Sequence, residues 1–231
     1  SGLVLYTGET DVQIFAGFTS QVYLTLNPTG SGTGSIYISV TWGVPFNYSW
    51  IDYYNNPLIV PVGNMYDNVG VAQPVVIYDS GLYKMWYHGL GRVEGEPWKT
   101  YVMYKESVDG INWTTFPNPV IFPGNANSWD SKSVSPGAVL KENGIYKMYY
   151  CGYSDEYDNW HVGLATSVNG INWTKHSQPI IYGTYGWEHQ IVISSVVKIN
   201  NSYYLYYTGR NMPGYKIGVA VSTDGINFTK Y

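Results

Sequence analysis

The sequence predicts an all-β fold, a β-propeller built from four-stranded antiparallel blades. Three observations carry that prediction: a turn motif repeated at near-constant spacing, short strand-like runs between the turns, and a composition poor in charge and rich in aromatics. The motif is Asp109-Gly110-Ile111-Asn112-Trp113-Thr114, and it returns as Asn169-Gly170-Ile171-Asn172-Trp173-Thr174 and Asp224-Gly225-Ile226-Asn227-Phe228-Thr229. Gly110, Gly170 and Gly225 set the copies 60 and then 55 residues apart, and a period near this length marks a repeat architecture. Asp-Gly and Asn-Gly between strand-like runs are hairpin signals, because a type I′ turn needs positive φ at both central residues. Each copy is expected to be such a hairpin at one place in a repeated sheet.

The strands follow in order. In the first clear blade they are Pro74 to Tyr78, Leu82 to Tyr87, Tyr101 to Tyr104, and Trp113 onward to Ile121, with a turn at Asp79-Ser80-Gly81. The second repeats the plan at Ala138 to Leu140, Tyr146 to Tyr150, His161 to Ala165 and a last strand ending at Ile181. The third does so at Ser195 to Val197, Tyr203 to Tyr207, Ile217 to Ala220 and the final hairpin. Residues 63–122, 123–182 and 183–231 are the three clear blades of a single domain spanning 1–231. Residues 1–62 read as a partial and a degenerate blade, in which Leu3 to Gly8 echoes Tyr204 to Gly209 and Asn27 to Ser35 is a flexible loop or hairpin tip. Five blades are expected, with four the alternative.

Composition narrows the function. Charged residues are 12% of the chain and aromatics 17%, with 25 Tyr and 9 Trp, which favours strands and sugar- or partner-binding surfaces. A net charge of −4 with no basic run argues against nucleic acid or an anionic membrane. No apolar run approaches the roughly 20 residues needed to span a bilayer. The chain opens at Ser1 without a signal peptide, so upstream processing or trimming is expected. Cys151 alone can form no disulfide within the chain and is expected to be a buried thiol. Asn-X-Ser/Thr acceptors stand at Asn47, Asn112, Asn172, Asn200 and Asn227; three of them come with the repeated turn. A chain so rich in Tyr, Asn, Thr and Gly resembles surface proteins of hot-spring archaea and their viruses, which implies an extracellular, cell-surface or virion location.

The run Tyr83-Lys84-Met85-Trp86-Tyr87-His88-Gly89, then Ser107-Val108-Asp109-Gly110-Ile111-Asn112-Trp113, then Asn118-Pro119-Val120 resembles blades of the five-bladed glycosidase propellers. These are the arabinanase and xylosidase, invertase and levansucrase, and mannoside-phosphorylase families. The resemblance covers about residues 64–231 and implies a five-bladed ring with a funnel-shaped sugar site on its axis. It also implies carboxylates near that funnel. An aromatic-acid pair precedes the first strand of each clear blade: Tyr66-Asp67, Trp129-Asp130 and Trp187-Glu188. The resemblance would make Asp67 the base, Asp130 a modulator and Glu188 the acid, with inverting pairs roughly 6.5–9.5 Å apart. Against this, a residue repeated in every blade also suits a structural anchor.

The loops between second and third strands should share a face with the starts of the first strands, and the Asp-Gly hairpins should lie on the other. Trp98, Tyr153, Tyr157 and Trp160 could stack on sugar rings there, with Asp155, His189 and Arg210 bonding hydroxyls. The same aromatics could equally cover blade edges. No cofactor is expected. Calcium is considered only at Asp155-Glu156-Tyr157-Asp158, whose spacing does not match an EF-hand, and His88, His161, His176 and His189 show no ligand spacing. Neither a Gly-X-Ser-X-Gly elbow nor a phosphate loop occurs. The main expectation is a surface module that binds glycans or neighbouring subunits, with homo-oligomers allowed. The alternative is a glycoside hydrolase or phosphorylase.

Overall fold

The computed structural model describes residues 56–156, 159–211 and 214–231, together with the residue pairs 6–7 and 27–28. Contacts divide the chain into two compact units, Ser1–Asp52 and Tyr53–Tyr231. In the first, β1 (Tyr6–Thr7) pairs antiparallel with β2 (Asn27–Pro28). The pairing takes in Asn27 and Pro28, the first two residues of the run read as a flexible loop or hairpin tip, and the remainder of that run lies outside the described residues. The rest of the two worn N-terminal blades lies outside the described residues.

The second unit is all-β, and its described residues contain no helix. It repeats one antiparallel plan three times. The first repeat holds β3 (Gly70–Asp79), β4 (Leu82–Gly91) and β5 (Lys99–Ser107). The second holds β6 (Ser133–Glu142), β7 (Ile145–Ser154), β8 (Asn159–Ser167) and β9 (Thr174–Lys175). The third holds β10 (Gln190–Ile199), β11 (Ser202–Asn211), β12 (Gly214–Ser222) and β13 (Thr229–Lys230). Single parallel bridges, Thr100↔Ser133 and Trp160↔Gln190, stitch each repeat to the next.

The strands run longer than their apolar centres suggest, because flanking residues such as Gly70 to Ala72 and Ser133 extend the ladders. The fourth strand is shorter than expected. Between Trp113 and Ile121 no strand forms in the first repeat; a bond from Thr114 N to Glu106 O (2.8 Å) and an isolated bridge, Val102↔Ile121, close it.

Turn types also differ from the reading of the Asp-Gly motif. The type I′ geometry sits between first and second strands, where Ser80 and Gly81 have φ of 54° and 85° and Asn143 and Gly144 have 49° and 80°. In the repeated motif only the glycine is left-handed, at 75°, 80° and 75° for Gly110, Gly170 and Gly225. A serine two residues before the Asx builds the loop instead. Ser107 Oγ accepts from Gly110 N (2.9 Å) and donates to Asp109 Oδ1, which accepts from Ile111 N and Asn112 N (2.8 Å each). Ser167 with Asn169 and Ser222 with Asp224 make the same bonds. Asx and Ser side chains tie off local backbone donors in this way, so the motif is fixed by turn chemistry. Asn112 and Asn227 also donate Nδ2 to their aspartates, which gives these acceptor asparagines a structural task.

The motif joins the repeats as well. Trp86 Nε1 of the first repeat donates to Gly170 O of the second (2.8 Å), and Tyr149 Oη of the second donates to Gly225 O of the third (3.1 Å). Each aromatic stands five residues before the end of a second strand and reaches the next repeat's glycine. Around these bonds lie two apolar seams. Trp86, Val102 and Tyr104 meet Val134, Tyr146 and Tyr150, and Tyr149, Cys151 and Leu164 meet Ile191, Ile193 and Leu205. Both faces of the second repeat are therefore buried, as stacking of sheets requires. Cys151 is buried as expected; its thiol is pushed up to about 12 by burial, and its Sγ accepts from Ile193 N at 3.2 Å.

Candidate functional site

The registers confirm the two faces. Gly70, Leu90 and Thr100 share one end of the first repeat, while Asp79, Leu82 and Ser107 share the other. The loop face therefore carries the second-to-third-strand loops and the starts of the first strands, and the Asx-Gly hairpins lie opposite.

The three repeated carboxylates are not alike. Asp130 is 3% exposed and accepts from Lys175 Nζ (2.6 Å), Ser128 Oγ (2.9 Å) and Tyr150 Oη (3.0 Å). Glu188 copies this set. It accepts from Lys230 Nζ (2.7 Å), Thr184 Oγ1 (3.0 Å) and Tyr207 Oη. Each lysine also caps a carbonyl at the end of the preceding repeat, Phe122 O and Tyr182 O. Burial would raise the Glu188 carboxyl, but Lys230, Tyr207 and Thr184 together hold it below its usual value. An acid so held is a poor proton donor. The tryptophans before them stack on the same tyrosines, Trp129 on Tyr150 and Trp187 on Tyr207. Gly152 makes room for this, since a Cβ there would lie 2.3 Å from Trp129 Cζ3. Asp130 and Glu188 are thus anchors that bind the outer strand to the start of the blade.

Asp67 breaks the pattern. It is fully buried, and neither carboxylate oxygen has a side-chain hydrogen-bond partner among the described residues; the Val62 and Asn64 backbone favours its charged form from nearby. Thr115 stands where the other repeats have Lys175 and Lys230, and the cation comes instead from the third strand as Lys105. Burial raises the Asp67 carboxyl, opposed by the Val62 and Asn64 backbone and by the charge of Lys105. Because the folded state holds this proton more tightly than the unfolded chain, the associated stability is complete at low pH. It is lost as pH rises above about 4 and through the folded value. Asp67→Asn is therefore expected to raise stability at pH 7 by about 1–3 kcal/mol, with the gain fading toward pH 4. Urea midpoints at the two pH values check this, and a less stable variant at pH 7 would contradict it.

The remaining candidates separate into groups. Tyr153 and Trp160 form a stacked cross-strand pair (5.4 Å between centroids, 27° between planes). Lys132 Nζ lies 5.7 Å from the Tyr153 ring and 2.5 Å from Asp155. Trp160 bridges to Gln190, which pairs with Arg210, so these residues form one row across the seam of the second and third repeats. Arg210 lies over the Tyr215 ring (5.5 Å). His189 is half-buried in the turn before β10. Trp98 is apart in the first repeat with Arg92 (5.8 Å). Tyr157, Asp158 and Asn47 lie outside the described residues. Asn112, Asn172, Asn200 and Asn227 are exposed. Among the described residues no group of three or more His, Cys, Asp or Glu side chains could hold a metal ion.

One array went unread in the sequence. All three first strands bulge at the same level, between Ala72 and Val75, Pro136 and Ala138, and Ile193 and Ser195. At the first bulge Gln73 has φ of 50°, a costly conformation for a residue with a side chain, and it is exposed. Its Oε1 accepts from Ser135 Oγ, and Ser135 Oγ lies 3.1 Å from His88 Nδ1. With the serine hydrogen given to Gln73, the histidine proton sits on Nδ1 and the Nε2 lone pair is left as an acceptor. Burial lowers the His88 value, so the ring is neutral near pH 7. The other repeats have Cys151 and Thr208 at this position. The signal available was His88 breaking an otherwise repeated strand.

These features define a class: sheets of the glycosidase-like β-propeller type. Comparison with known proteins bears this out. Residues 136–231 match the family model described as beta-1,4-mannooligosaccharide phosphorylase, glycoside hydrolase family 130. A 1,2-beta-oligomannan phosphorylase from Thermoanaerobacter sp. (strain X514) is 29% identical over 126 residues, 52% of this chain and 42% of that protein. A solved structure from the GH130 family of mannoside phosphorylases, which contains glycoside hydrolases that target beta-1,2 mannosidic linkages in Candida mannan, superposes with a TM-score of 0.61. It is 21% identical over 81% of this chain and 60% of that one. Sucrose-6-phosphate hydrolase from Lactobacillus gasseri gives a TM-score of 0.61 at 19% identity, covering 77% of this chain and 38% of that one. The chain thus spans less than two thirds of the length of the proteins it resembles.

Proposed function

We propose that this chain acts on β-linked mannosides as a glycoside phosphorylase, with hydrolysis as the variant reaction of the same site. In phosphorolysis a phosphate oxygen bonds to the anomeric carbon, the glycosidic C–O bond breaks, and the leaving oxygen takes a proton. The family match over residues 136–231 carries this reading, and it favours the enzyme over a passive surface module. The polar array at the inner bulge supports it. Gln73 on the first strand and His88 on the second offer an amide and a neutral imidazole to sugar hydroxyls beside the innermost strands, where the resemblance puts the funnel. A five-bladed ring is part of the proposal.

The test is to incubate the protein with β-1,2- and β-1,4-mannobiose, with and without inorganic phosphate. Mannose 1-phosphate, formed only when phosphate is present, is the expected product. Free mannose in both conditions would assign hydrolysis. Binding without any product would return the function to a glycan-binding module.

A further inference from the structure

The second repeat has a hollow of about 750 Å³ on its loop face. It lies between the stretch before β6, the start of β8 and the segment that closes the blade. No residue of the first strands β3, β6 or β10 lines it. We propose that this hollow is a second binding site, for a neutral oligosaccharide, distinct from the axial array.

The lining decides the chemistry. Asn127, Asn159 and Gln178 supply uncharged amides, and Tyr182 supplies exposed aromatic surface over the buried Trp129 and His161 rings. No Lys, Arg, Asp or Glu lines the hollow, so a phosphate or carboxylate ligand would find no counter-charge there. Amides beside aromatic planes suit a ligand of hydroxyls and C–H faces. The rings are held in place. His161 Nδ1 accepts from Gly183 N (2.9 Å), its ring lies 5.5 Å from Tyr182 and 6.2 Å from Trp129, and burial lowers its value, which keeps it neutral. Tyr182 is half exposed and presents its ring to solvent.

The hollow also departs from the repeat. The stretch from Ile121 to Trp129 is longer than its counterparts, Ile59 to Tyr66 and Ile181 to Trp187, and the added length supplies Asn127. His161 stands where the other repeats have Tyr101 and Lys216, each paired with the strand glycine. Structural anchoring at Asp130 requires neither change, since Glu188 is anchored without them.

The experiment titrates cellotriose, xylotriose and maltotriose, none of them a mannoside, into the full chain by calorimetry, comparing wild type with the double variant Asn127→Ala/Gln178→Ala and with His88→Ala. Asn127 and Gln178 are exposed, so the double variant is expected to keep its melting temperature. A dissociation constant of about millimolar is expected for at least one trisaccharide. It should weaken at least about tenfold, roughly 1.4 kcal/mol, in the double variant and hold in His88→Ala. Binding lost in His88→Ala but kept in the double variant would overturn the proposal, as would no binding of any of the three sugars. Neither result depends on whether mannosides are turned over.

Discussion

Trp86→Ala is expected to cost about 3–5 kcal/mol of folding stability, the range for a fully buried aromatic. The ring is fully buried and meets Tyr104, Tyr146 and Trp173 at centroid distances of 5.4, 6.1 and 5.9 Å. Its indole N–H also reaches Gly170 O of the next repeat. Truncation therefore opens a cavity in the seam and removes the bond that joins two sheets. Trp86→Phe keeps most of the apolar contact and loses the bond. It should cost about 1–2 kcal/mol, partly spared because Trp173 Nε1 still donates to Gly170 O (2.9 Å). Urea unfolding of both variants separates cavity from bond. A loss below about 0.5 kcal/mol for Trp86→Ala would mean that the sheets do not stack through this residue.

His88→Ala is expected to lower turnover of a mannoside about 10²–10⁴-fold, the span for removing a positioned proton-accepting group. The imidazole is oriented through Ser135 and Gln73, so Ser135→Ala should produce a smaller loss by releasing the ring. The pH profile gives the sign. Burial lowers the His88 value, so the neutral ring persists below the usual histidine range, and activity that needs it should fall only at pH values below that range. Unchanged turnover in His88→Ala would move the chemistry off this bulge.

Much of the fold was legible because turn chemistry repeats locally. Ser-X-Asx-Gly-Ile-Asn closes the same loop three times, and that regularity places the first three strands of each clear repeat. What escaped was geometry that depends on distant residues. The Asx-Gly motif suggested a type I′ turn, yet the serine oxygen two residues upstream builds a wider loop, and the true type I′ turns lie at Ser80-Gly81 and Asn143-Gly144. The site was harder to read for a related reason. Asp130 and Glu188 drew attention because they repeat, and they repeat because each ties a lysine and a tyrosine in the same lock. His88 is an ordinary strand residue until the fold brings Ser135, 47 positions away, against its ring. Asp67 shares its sequence context with the other two acids, and only the Thr115 and Lys105 exchange in three dimensions sets it apart.

The most direct test compares kcat/KM per folded molecule, alongside melting temperature, for Glu188→Gln and His88→Ala on β-1,2-mannobiose with phosphate. Glu188→Gln should melt earlier, because Lys230 and Tyr207 lose their charged acceptor, while its kcat/KM stays within about threefold of wild type. His88→Ala should keep its melting temperature and lose its activity. The reverse outcome, an intact fold with abolished turnover in Glu188→Gln and full activity in His88→Ala, would contradict the division between repeated anchors and the array that breaks the repeat.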